Sequence, residues 1–187
     1  MDKYYRDKKM LKTTDKKQLS KKYTDFEAVT ESIYWEFNER YYKNISEFLV
    51  DLKEYMKKVE KELISVDLHS VILEETEILI SYEAWINNIS NLHVNEVIES
   101  KSDENLLEFG KQKGIWTRIL AHITSESKQG FTLQELLLKI QNQMFNKQLR
   151  DYFFFNKLIY MSDENKIYNF IKDKNKIPLF YVICDMH

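Results

Sequence analysis

The side chains here that chemistry could draw on are four histidines, one cysteine and thirty acidic residues. His69, His93, His122 and His187 lie far apart, and three of them sit among apolar residues, so packing or surface roles are expected. His93 and Glu96 have a spacing that would share one helix face around a metal, but no second pair stands near them in sequence. Cys184 and His187 close the chain without forming a ligand set. There is no glycine-rich phosphate loop, HExxH, GxSxG or CxxC, and no serine or aspartate is placed as an activated nucleophile. No catalytic residue, no metal and no cofactor is expected, and the chain is not read as an enzyme.

The elements that would position any site read as mostly α. Phe26, Val29, Ile33, Phe37, Tyr41, Ile45, Phe48, Leu52, Tyr55, Val59 and Leu63 recur at steps of three and four, predicting a long helix with a restart at Asn44–Glu47. A second helix is expected from Leu68 to Ile89, capped by Asp67. Such long helices need a bundle, coiled coil or dimer seam to cover them. Ile115, Trp116, Ile119, Leu120 and Ile123 predict another helix, followed by a break at Ser125–Gly130 where Gly130 suits a positive φ. Thr132 and Glu135 then have capping-box spacing, and Leu133, Leu136, Leu137 and Ile140 form the next buried stripe. Gln141–Gln143 reads as a polar turn before a further helix over 145–155. Leu158–Met161 and Ile167–Ile171 flank the turn Ser162–Lys166 as a hairpin, and Leu179–Cys184 reads as a last strand.

Helix, glycine, capped helix, polar turn, second helix and hairpin is an order that resembles the winged helix-turn-helix of bacterial transcription regulators. The stretches "GFTLQELLLKI", "NKQLRDYFFFNKLIYM" and "SDENK" carry the likeness. The resemblance implies duplex DNA as partner, with 145–155 as recognition helix and 158–171 as wing. Asn146, Lys147, Gln148 and Arg150 would then face the major groove, where these residue types pair with adenine and guanine. Thr132 and Gln143 would approach phosphates, and Lys166 would reach the flanking backbone. Asp151, Asp163 and Glu164 oppose that reading by charge.

Composition sets the outer limits. The chain has 187 residues, with three glycines and one proline, and a single cysteine excludes an internal disulfide. Its start is no secretory signal and nothing is apolar enough to span a membrane, so a cytoplasmic location is expected. Its Lys, Asn, Ile and Tyr content suggests a bacterial or phage source. Net charge is −2. It is distributed as a basic flexible arm over 1–25, an acidic helical region over 26–109 and a basic winged-helix-like domain over 110–187. The expected function is sequence-specific DNA binding, as a transcriptional regulator dimerised through its long helices. Two alternatives stand: a protein-interaction adaptor or phage- or plasmid-encoded inhibitor using the acidic half, and a plasmid or phage replication or partition factor.

Overall fold

The computed structural model describes residues 23–59, 67–99, 114–149, 154–161 and 177–185. These form helices α1 (Thr24–Glu31), α2 (Ile45–Lys58) and α3 (Leu133–Met144), with strands β1 (Trp35–Glu36), β2 (Val71–Leu73), β3 (Glu77–Ile86), β4 (Glu96–Ile98), β5 (Ile115–Thr124), β6 (Phe131–Thr132), β7 (Phe154–Tyr160) and β8 (Leu179–Asp185). Six strands make one sheet in the order β1-β7-β8-β3-β5-β4, and β2 pairs with β6 apart from it. Only the β3–β8 pairing is parallel.

The helices cover one face of this sheet. Ile78, Ile80, Tyr82, Ala84 and Ile86 of β3 and Ile119, Ala121 and Ile123 of β5 pack into the same core as Phe48, Leu52 and Met56 of α2 and Leu133, Leu136, Leu137 and Ile140 of α3. On the other face, Leu79, Leu120 and Leu179 form a smaller apolar cluster with Met161 and Ile177. Asn44 caps α2, its side chain accepting from the Glu47 amide at 3.0 Å. The last turn of α3 is tied to the 38–42 segment. Gln141 accepts from the Trp35 indole at 2.7 Å and donates to the Asn38 and Arg40 carbonyls, while Asn142 exchanges two hydrogen bonds with the Tyr42 backbone.

This architecture corrects the mostly-α expectation, the long-helix bundle and the coiled coil. The 26–63 pattern divides into α1, a stretch in which Ile33, Trp35 and Phe37 are buried alternately, and α2. Helices of 8 and 14 residues, each covered by the sheet, leave no seam for a coiled coil. The helix expected over 68–89 is instead a turn followed by β2 and β3, and the one expected at 115–123 is β5. Both strands are buried on two sides for much of their length, so their apolar residues lose the period of two and fall at steps of three and four. Gln141–Gln143 is the end of α3, not a turn after it. The described residues of 145–155 are not helical: 145–148 is a turn whose Gln148 backbone bridges to Trp85, and Phe154–Tyr160 is a strand held between β1 and β8. The wing's first arm is therefore inside the sheet, while its tip and second arm lie outside the described residues. The boundary drawn near Gly110 also lies outside them, and β3 and β4 on one side of it pair with β5 on the other. Among the described residues no helix is long and apolar enough to cross a membrane.

Candidate functional site

A buried polar knot sits where β3, β4 and the turn after α3 meet. Tyr82 points into the core from β3 and donates its hydroxyl proton to Oε1 of Glu96, the first residue of β4. The other carboxylate oxygen, Oε2, lies 3.0 Å from Lys147 Nζ and accepts from the His93 amide at 2.7 Å. Both charged side chains are fully withdrawn from solvent. Lys147 also donates to the Asn91 carbonyl at 2.7 Å and to Asn146 Oδ1 at 2.6 Å, which engages all three of its protons. Burial, with Glu96 adding to it, pushes the Tyr82 hydroxyl well above its ordinary pKa. Burial pulls Lys147 down, and Glu96 opposes that pull. A buried pair of this kind contributes little net stability over an apolar substitute, but removing one partner is costly. Its effect is positional, because it fixes three chain segments relative to one another.

The segment it fixes is the loop from Asn87 to Asn95. Asn88 closes a short 3₁₀ turn (Ile89–Asn91), accepting from the Ser90 amide and donating its own amide to Asn91 Oδ1. The loop ends at Val94, which is 106% exposed, beside His93, whose ring packs against Phe145 at 5.7 Å. Phe145 in turn meets Tyr41 edge-on at 5.3 Å, and Tyr41 is 52% exposed. Val94, His93 and Tyr41 help to line a cleft of about 390 Å³. Lys43, Asn95, His122, Glu126, Lys139 and Asn142 complete its polar walls. Lys139 is balanced by Glu126 at 3.4 Å and Glu135 at 3.6 Å. Burial holds the His93 ring below its ordinary pKa, Lys147 adds to that and Glu96 opposes it, while the Asn142 and Gln143 backbone bonds favour the protonated form.

Of the seven residues expected to read DNA, five lie among the described residues. Thr132 is the N-cap of α3, and Gln143 lies in the last turn of that helix, lining the cleft. Asn146 accepts from Lys147, Lys147 is buried against Glu96, and only Gln148 keeps an exposed side chain. Arg150 and Lys166 lie outside the described residues. His93 and Glu96 do meet as their spacing suggested, but through the His93 amide and on a loop rather than a helix. Among the described residues no group of three or more His, Cys, Asp or Glu could hold a metal. Val94 was not singled out from sequence, and Tyr41 was read there as one residue of a helical apolar stripe. The signal that could have marked them is the cluster Asn87, Asn88, Asn91 and Asn95, turn-forming residues inside an apolar stretch. Comparison of the chain with protein-family models, curated proteins and solved structures finds no match.

Proposed function

We propose that this protein is a protein-interaction module that docks a partner on the face made by Val94, His93 and Tyr41. One observation carries the reading: a fully buried Glu96–Lys147 pair braces a loop whose tip, Val94, is wholly exposed. An apolar residue in water on a braced loop binds with little further ordering cost, and the half-exposed Tyr41 beside it is a residue type that commonly anchors an interface. The polar rim of Lys43, Asn95 and Asn142 then fixes orientation. Duplex DNA is the less suitable partner for this face. Phosphate binding relies on clustered cations, whereas Lys139 of this cleft is already paired with Glu126 and Glu135.

The test is a quantitative capture experiment with the full chain and its Val94→Asp variant, run in parallel with own-promoter duplex DNA at low salt. Proteins held by the wild type and lost from a folded Val94→Asp variant are the expected result. Equal capture by both chains, or DNA binding that Val94→Asp leaves unchanged, would overturn the proposal. A wild type that self-associates and a monomeric Val94→Asp would name a second copy as the occupant.

A further inference from the structure

The sheet ends at β4, which has β5 on one side and, among the described residues, no strand on the other. Register and bonding fix which way its backbone points. Asn95 accepts from the His122 amide and Glu99 donates to the Arg118 carbonyl, both at 2.9 Å, and Val97 stands opposite Leu120 between them. An antiparallel ladder bonds at every second residue, so the backbone groups of Asn95, Val97 and Glu99 turn toward β5 and those of Glu96 and Ile98 turn away. The Glu96 amide is used locally, donating to the His93 carbonyl at 3.0 Å. The Glu96 carbonyl and both backbone groups of Ile98 are left along the open edge, with no hydrogen-bond partner among the described residues.

Side chains alternate in the same way. Glu96 and Ile98 are buried toward the core, while Val97 is 44% exposed on the outer face. Strand edges are commonly guarded by shortness, lysine, proline or a bulge. β4 is short, but it carries no lysine, no proline and no register shift, and an apolar side chain stands where a charge would guard it. What fits such an edge is another strand, and this edge fits itself. A two-fold axis at Val97 sets Glu96 opposite the partner's Ile98, so that each Ile98 amide donates to the Glu96 carbonyl of the other copy. The two Val97 side chains then meet at the axis as a non-hydrogen-bonded pair, in which side chains approach most closely. No like charges face each other. Glu96 is turned inward to Lys147, and Glu99, 3.7 Å from Arg118, stands opposite the partner's Asn95. A net charge of −2 on the whole chain opposes association only weakly.

We propose that β4 pairs antiparallel with β4 of a second copy of this chain, joining two sheets into one. The pairing goes beyond the Val94 face and does not rest on it, because it uses the backbone of 96–98 and the Val97 side chain. A contact this short belongs to the weak, transient class, so association is followed by sedimentation of the full chain up to about 1 mM. The expected result is a reversible monomer–dimer equilibrium. Val97→Lys, which sets two ammonium groups at the axis, should weaken it about fivefold or more, and Val50→Lys, at an exposed site on α2, should leave it unchanged. Amide exchange gives a reading that needs no variant: Ile98 should exchange freely in dilute protein and become protected as concentration rises. A chain that stays monomeric to about 1 mM would overturn the proposal. So would a dimer that Val97→Lys leaves intact, or one in which the Ile98 amide stays unprotected. Either places the contact elsewhere, and Val94→Asp then tells whether it is the Val94 face.

Discussion

Glu96 and Lys147 stand 3.0 Å apart with both side chains closed to solvent, and the pair joins β4 to the turn that leaves α3. Lys147→Met strands a carboxylate in the core beside Tyr82 and the His93 amide. The expected loss is about 3–5 kcal/mol, against less than about 1 kcal/mol for an exposed pair. Glu96→Gln combined with Lys147→Met removes both charges, and the Gln carbonyl accepts from the His93 amide while its NH2 donates to the Tyr82 oxygen, so the double variant regains much of that loss. Urea unfolding of the three variants measures this. A Lys147→Met cost within about 1 kcal/mol would falsify the buried arrangement.

The same knot gives stability a pH dependence through His93. Burial lowers the folded-state pKa of the ring, and the buried Lys147 ammonium adds to that. The unfolded chain therefore takes up a proton more readily than the folded one below about pH 6.5. Stability should fall as pH drops from neutral through that window, at no more than about 1.4 kcal/mol per pH unit for one proton. His93→Gln should flatten the slope. Unfolding midpoints between neutral and mildly acidic pH measure it, and identical slopes for wild type and variant would show that another group is responsible.

Where the sequence was legible, a local rule acted alone. Gly130 has φ +106°, Thr132 caps α3, Asn44 caps α2, and Leu179–Asp185 is a strand. Each rests on chemistry within a few residues. What was not legible depends on burial from two sides. In β5 the core-facing Ile119 and Ile123 combine with Trp116 and Leu120 of the opposite face into steps of three and four, the spacing of a helix. In β3 the residues from Ile78 to Tyr82 are buried without alternation. The β-branched content of β5 (Ile115, Thr117, Ile119, Ile123, Thr124) was the competing signal. Lys147 was the most misleading residue for function. Its type suggested a phosphate or a base, and only the fold shows that its charge is used against Glu96.

Gly130 allows β2 to approach the turn before β6. A Cβ there would lie 1.9 Å from the Leu73 carbonyl oxygen and 2.8 Å from Glu74 Cα, on a backbone already at positive φ. Both neighbours are backbone and cannot swing aside. Gly130→Ala should therefore cost about 3 kcal/mol or more. Gly114→Ala, where two of the three close atoms belong to the Trp85 and Asn87 side chains, should cost less. Thermal unfolding of the two variants gives the order, and a reversal would mean that the β2–β6 approach relaxes easily.

Thr132 and Glu135 have capping-box spacing, but only half of the box is used as the name implies. Thr132 Oγ1 accepts from the Glu135 amide at 3.3 Å. The Glu135 carboxylate turns instead to the preceding loop, where it accepts from the Glu126 amide at 2.7 Å and lies 3.2 Å from Ser125 Oγ. Ser125 Oγ is in turn 2.7 Å from the Gly130 carbonyl oxygen, so the glutamate organises the turn that Gly130 closes. The two residues should therefore fail differently. Thr132→Ala should cost about 1 kcal/mol, as a lost cap does, and fray only the first turn of α3. Glu135→Ala should cost more, because it leaves the partly buried Glu126 amide unmet, and it should loosen 125–130 as well. Hydrogen exchange separates the two effects. Faster exchange at the Glu126 amide in Glu135→Ala, with that amide still protected in Thr132→Ala, is the expected pattern. Equal protection in both variants would return Glu135 to an ordinary helix-cap role.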